Sequence, residues 1–487
     1  VNRHTLMALA FGLTLPLDAA AQQPLSASDW LSGSVRGPER EASAWRPGDL
    51  PPDALNRHGP QPVAQSGAVG PVQVTRLDVG DPDRTGTTSP NRAGLPPDLW
   101  VGSDAATLSQ MVLATPARLD AMQDLLKRVL TAQLAPPTDA ETPGQRGQLF
   151  LARADRLLDM GALDQAQALL AAAGPGEPEI FRRLFDVALL EGDEGRACAI
   201  MNGTPGIAPS FAARIFCLAQ SGDWAAAAIS LHGAEALGLV DERRAILLTH
   251  FLDDGLVDGG QVIEPADRMT PLEFRIHEAV GQPLPTTPLP VAFAQSDLRL
   301  NGGFKARLEA AERLAESGAL PAAELRRIYA EQRPAASGGV WERASVMQTL
   351  EAALANGDLQ QALPRAFEEF RKAGMADLLA AMVAADLPEG GVPQVAEIAS
   401  LMRAWVGLPG ATRPEPAADL AAPPVEAPDT RHGEALLTAM ADIDAALEGD
   451  LARAGRGIAM LRALGLDADA DRAETQITLL PRMTADP

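Results

Sequence analysis

Few residues in this chain have the type and spacing to do chemistry. Cys198 and Cys217 are its only cysteines. They flank the turn Gly203-Thr204-Pro205-Gly206, so they can face one another across a helical hairpin. In an oxidising compartment they are a candidate disulfide; otherwise they read as two buried thiols packed as small apolar groups. His250, Asp253, Asp254 and Asp258 gather near a Gly259-Gly260 break and have the donors of a metal or acid–base site. The plainer reading is a helix C-terminal histidine followed by exposed loop carboxylates. Asp81-Pro82-Asp83-Arg84-Thr85-Gly86 starts like a calcium loop, but Arg92 stands where a bidentate glutamate belongs, so a solvated turn is expected. Asp467, Asp469 and Asp471 read as turn and capping residues of a last helix.

Other catalytic patterns are incomplete. His277-Glu278 begins a zinc-protease motif, but Gly281 replaces the second histidine. Gly455-Arg456-Gly457 lacks the third glycine and the preceding strand of a dinucleotide loop. There is no phosphate-binding Gly-x-x-x-x-Gly-Lys-Ser/Thr and no Gly-x-Ser-x-Gly elbow. On these grounds no catalytic, cofactor-binding or metal-ligating residue is assigned, and the chain reads as a non-enzyme requiring no cofactor.

The elements that position these residues follow from composition. With 487 residues, 46% hydrophobic and 22% charged, most of the chain should fold, as two to four domains. Aromatics are only 4%, with the single tyrosine Tyr329, which argues against sandwiches and barrels. A net charge of −23 disfavours nucleic acid and anionic lipid as partners.

Residues 1–21 read as a cleaved signal peptide. A short basic start is followed by an apolar run from Leu6 to Leu17 and then by Ala19-Ala20-Ala21. That run is too short to span a bilayer, and no later segment is long and apolar enough, so no transmembrane segment beyond the signal is expected. The lysines are Lys127, Lys305 and Lys372 only; the other basic residues are arginine, a bias of GC-rich bacterial genomes. Together these place the chain in a bacterial periplasm or outside the cell.

Residues 22–104 read as an extended, partly disordered arm, since 22 of the 82 residues from Gln23 to Asp104 are Pro or Gly. Trp30, Leu31, Trp45, Val72, Val74, Leu77, Val79, Leu99 and Trp100 are the side chains by which it would dock on the body. Helical periodicity then defines two blocks, 105–282 and 283–408, separated at the proline cluster Pro283 to Pro290. A Pro/Ala-rich linker follows at 409–431, with a C-terminal helical hairpin at 432–487.

One six-residue element recurs six times, from glycine to alanine: Gly161 to Ala166, Gly192 to Ala197, Gly222 to Ala227, Gly318 to Ala323, Gly357 to Ala362 and Gly449 to Ala454. The glycines are spaced 31, 30, 96, 39 and 92 apart, as if degenerate copies lay in the long gaps. The glycine supplies the left-handed conformation that ends one helix, Asp or Ala opens the next, and the alanine lets two helices approach. An apolar residue lies four positions before each glycine: Leu157, Ala188, Leu218, Leu314, Ala353 and Ala445. The expected fold is all-α: an α-solenoid of stacked helical hairpins preceded by the long Pro/Gly-rich arm.

These turns resemble the Gly-Asp-Tyr-x-x-Ala turn of tetratricopeptide repeats over roughly 146–233, 304–373 and 434–464, without that family's steady period or its closing proline. The resemblance implies a scaffold whose groove holds a peptide or protein partner in the cell envelope. The alternative is a cell-wall enzyme on a helical superhelix, in the layout of soluble lytic transglycosylases. Its catalytic glutamate and Gly-Leu-Met-Gln-like segment are missing, and too few residues follow the linker to hold its lysozyme-like domain.

Overall fold

The computed structural model describes residues 30–32, 81–139, 146–253, 262–299 and 302–485. The signal peptide, most of the arm, and Asp254 and Asp258 lie outside the described residues. What is described is all-helical, with 21 helices and one isolated bridge between Thr88 and Ala132. The first seven helices are α1 (Pro90–Ala93), α2 (Ala105–Ala114), α3 (Asp120–Thr131), α4 (Gln148–Asp159), α5 (Leu163–Ala173), α6 (Pro178–Glu191) and α7 (Glu194–Gly203). Then come α8 (Phe211–Gln220), α9 (Trp224–Ala236), α10 (Glu242–Leu252), α11 (Pro271–Ala279), α12 (Ala294–Asp297), α13 (Phe304–Glu316) and α14 (Ala322–Glu331). The last seven are α15 (Val340–Asn356), α16 (Leu359–Lys372), α17 (Ala376–Val383), α18 (Pro393–Val406), α19 (His432–Asp444), α20 (Leu451–Ala463) and α21 (Asp467–Met483). No helix among the described residues is long and apolar enough to cross a membrane.

The six recurring glycines all have φ between 72° and 88°. At each, the amide after the glycine donates to the carbonyl four residues before it, for example Ala162 to Leu157 at 2.9 Å and Asp450 to Ala445 at 3.1 Å. This is the Schellman closure, which satisfies a helix-end carbonyl and reverses the chain. The same bond closes turns at Gly238 and Gly281, and at Gly374 and Gly407, which fall inside the two long gaps. The hairpins therefore continue through those gaps, although not at a spacing of 31.

Ala166, Ala197, Ala227 and Ala454 are buried and Ala362 is half-buried, but Ala323 is exposed. The close-approach role expected of Ala323 does not hold there. Pro321 caps α14, so that helix starts four residues after its glycine rather than two, and its inward face is Leu325, Ile328 and Tyr329.

The hydrophobic packing runs across the boundaries of the expected blocks. One hydrophobic cluster runs from Trp30 to Met483, and a second is confined to Phe181–Val280. The first block is thus shared between two cores. Helix α6 faces both: Ile180, Val187 and Leu190 enter the large core, while Phe181, Phe185 and Leu189 enter the small one. The small core contains the Cys198–Cys217 disulfide, which joins α7 to α8 with Cα atoms 5.0 Å apart.

Nor is the C-terminal hairpin a separate unit. Helix α21 packs on α3 and α18, and α19 packs on α2. Buried Asp444 accepts from the Arg118 amide at 2.7 Å and from its Nε at 2.6 Å. The segment 409–431 is not a free linker either, because its apolar residues find a surface. Leu420 is buried, and a Cβ on Gly455 would lie 2.3 Å from the Leu420 carbonyl. Gly457 faces the Ala439 carbonyl equally closely, so the two glycines that resembled a nucleotide loop are close-packing positions.

The turn at Asp81–Gly86 is not wholly solvated: Arg84 is exposed, but Asp83 is fully buried. Asp83 accepts from the amides of Gly147 at 2.8 Å and Phe150 at 2.7 Å, capping α4 from a distant segment. Beside it, Arg153 is fully buried and donates to the carbonyls of Leu130 (2.8 Å), Thr85 (2.9 Å) and Ala132 (2.7 Å). One guanidinium thereby ties the start of the described body to the end of α3.

Candidate functional site

The boundary between the two cores is the candidate site. Helix α6 is apolar on both sides, and its charged residues Glu179, Arg182, Arg183 and Asp186 are buried along the seam. Arg183 is held by Asp155, with Nη2 donating at 2.7 Å, and by Glu179. Arg182 pairs with Glu179 at 3.1 Å.

The tripeptide Trp30-Leu31-Ser32 is seated on this seam. The Ser32 amide donates to Asp186 Oδ2 at 2.9 Å and its hydroxyl to Oδ1 at 2.7 Å, while Arg182 donates to the Ser32 carbonyl. The Trp30 ring meets Phe293 edge-on at 5.6 Å, and the Leu31 side chain enters the large core. Burying two such side chains contributes roughly 1.5–3 kcal/mol each. Burial pushes the Asp186 carboxyl up to about 6, opposed by the Ser32 hydrogen bonds and by Arg182 and Arg183. Beyond Ser32 the seat runs on as a groove of about 90 Å³, walled by Ser210, Arg244, Leu248, Thr270 and Ile276. At its wall, Glu273 closes a capping box with Thr270 and pairs with Arg243 at 2.6 Å and Arg244 at 3.1 Å.

Trp30, Leu31, Leu99 and Trp100 are therefore docked side chains of the arm; Trp45, Val72, Val74, Leu77 and Val79 lie outside the described residues. The part of the seat contributed by the body escaped the sequence reading. Its signal is charge inside an apolar helix: Arg182, Arg183 and Asp186 interrupt a run that is otherwise apolar from Ile180 to Leu190.

The remaining candidates do not converge. His250 is buried on α10 beside an open hollow with Glu235 and Glu242, and Asp253 ends that helix. No group of three or more metal-ligating side chains occurs among the described residues. His277 is fully buried and neither ring nitrogen finds a partner there; burial holds its pKa below the usual imidazole value, against the pull of Glu273. Asp467, Asp469 and Asp471 lie inside α21 rather than capping it, since Leu466 holds the N-cap position; Asp469 pairs with Arg128 of α3, and Asp471 with Arg413 at 2.8 Å and with Arg462 of α20 at 3.1 Å. A second hollow of about 330 Å³ between α5, α6 and α7 is lined mainly by apolar groups such as Ala171, Phe181, Leu184 and Ile200.

One carboxyl pair is chemically distinctive. Asp120 opens α3 and accepts from Trp405 Nε1 at 2.8 Å; Asp377, in the first turn of α17, neighbours it, and burial raises the pKa of both carboxyls. Burial, then the Asp120 charge, pushes Asp377 up to about 8. The unfolded chain gives up this proton near 3.8, so the folded state binds more protons between those values. The contribution of this carboxyl to stability is full below pH 4, falls as pH rises toward 8 and levels off above it. Asp377→Asn should remove this decline. Thermal melts followed by circular dichroism from pH 5 to 9 are expected to show the variant gaining on the unaltered chain by about 2 kcal/mol at pH 9, since a pair that keeps some contact with solvent feels only part of the shift.

Neither a protein-family model, nor a curated protein, nor a solved structure matches this chain.

Proposed function

We propose that this chain is a non-catalytic, secreted or periplasmic scaffold of stacked, tetratricopeptide-like helical hairpins that mediates protein–protein interactions in the bacterial envelope. The observation that carries the reading is the seated tripeptide. A segment of chain lies in a seam between two helical cores, with its main-chain amide and carbonyl both captured and two side chains buried. Main-chain capture with pockets for side chains is how helical and other scaffolds hold peptides. The Schellman-closed hairpins supply the rigid helices that frame the seam.

Cross-linking in the native envelope, followed by affinity purification of a C-terminally tagged copy and mass spectrometry, tests this. One stoichiometric envelope partner, recovered repeatedly and lost from an Asp186→Ala copy, is the expected result. Recovery no better than a matched acidic control protein counts against the scaffold.

A further inference from the structure

We propose that the seam on α6 is an exchangeable peptide site, occupied in cis by Trp30-Leu31-Ser32 and open in trans to segments of the form aromatic–aliphatic–serine. The proposal rests on the scaffold reading and names the chemistry of its partner. Three recognition elements are built into the body. Asp186, fully buried, takes both an amide and a hydroxyl from one residue of the occupant. Arg182, one helical turn earlier, takes that residue's carbonyl. Phe293 and the large core take the two preceding side chains. Threonine keeps the hydroxyl and fits the same description, whereas alanine in place of serine loses one of the two bonds to Asp186.

Two observations make the occupant displaceable rather than fixed. The Trp30 indole N–H is buried and finds no acceptor among the described residues, so the cis segment is an imperfect fit. The groove beyond Ser32 continues past Ser210 over Leu248 and Ile276, which belong to the small core, so a longer segment gains contacts on the far side of the seam. Forty-eight residues separate Ser32 from Asp81, ample covalent length for residues 30–32 to leave the seat while the body stays whole. An intramolecular occupant of this kind also sets a threshold: a trans segment must overcome the effective concentration of the tethered one.

The test uses the full chain. Trp30→Ala with Ser32→Ala removes the cis occupant's grip. A fluorescein-labelled synthetic peptide with the sequence of residues 26–36 is titrated into this opened chain and into the unaltered chain, and read by fluorescence anisotropy. The opened chain is expected to bind it with a Kd at least tenfold lower, and adding Asp186→Ala is expected to weaken that binding at least tenfold. Equal binding to both chains, no binding to a folded opened chain, or indifference to Asp186→Ala overturns the proposal. Where circular dichroism shows the opened chain unfolded, the unaltered chain decides. Excess peptide must then speed hydrogen exchange in the fragment holding residues 30–32, and no change there overturns the site. Peptide binding without an envelope partner refutes the scaffold alone; a captured partner indifferent to this peptide refutes the exchangeable site alone.

Discussion

Arg153→Met is expected to lower the free energy of unfolding by about 3–5 kcal/mol, read as the shift of the urea midpoint at constant m-value. The guanidinium is fully buried, and its Nε, Nη1 and Nη2 donate to carbonyls of Leu130, Thr85 and Ala132. Burial lowers its pKa to about 10, which still leaves it charged at neutral pH. A methionine of similar length fills the space but strands three carbonyls, two of them at the C-terminal end of α3, where no intrahelical donor exists. The helix dipole adds to the loss by removing a cation from a negative end. Arg153→Lys should recover little, because one ammonium cannot reproduce the planar fork. A change below about 1 kcal/mol would mean that the segment Asp81–Thr88 is held by other contacts, such as Asp83 on α4.

The second large effect falls on the small core. Removing the disulfide by Cys198→Ala with Cys217→Ala should cost about 3 kcal/mol, since the bridge closes a loop of 19 residues. The two helices it joins, α7 and α8, are short, and the core they share is built from only part of the chain. The loss should therefore be uneven. Hydrogen exchange is expected to rise across residues 194–252 and to change little in α13–α21. Thermal melts with and without a thiol reductant give the same comparison without mutation. An unchanged melt under full reduction would show that packing of Phe216 on Phe251, 5.3 Å apart, holds this region without the bridge.

The local physics of the hairpins was legible in the amino-acid order. Glycine at a helix end has no Cβ to oppose positive φ, so Gly161 or Gly357 announces a reversal to any reader. Turns such as Gly374 and Gly407 use the same geometry without the following alanine, and a pattern that required the alanine passed over them. Ala323 shows the converse: the pattern is present, but Pro321 moves the helix start and turns that alanine to solvent.

The seam was not legible, for a reason of distance. Ser32 and Asp186 are 154 positions apart, and nothing local to either marks the other. The segment 409–431 looks like a linker because proline prevents a helix there, yet proline does not prevent packing. Leu420 docks because Gly455 of α20 has no Cβ to hold its carbonyl away, and that surface exists only once α20 has closed on α19 through Gly457. In the same way Asp83 reads as a turn residue until the amides of Gly147 and Phe150 arrive from a helix 64 residues later.

From its order of residues alone, then, the chain settles what depends on neighbours along the backbone: an all-helical body, its reversals, and the acidic, arginine-rich character of its surface. Tertiary structure settles what depends on burial. It makes α6 the shared wall of two cores, closes the last helices on the first through Asp444 and α21, and puts a buried carboxylate under Ser32. Backbone preferences act over a few residues, whereas desolvation and ion pairing act on whatever the folded chain brings within a few ångströms.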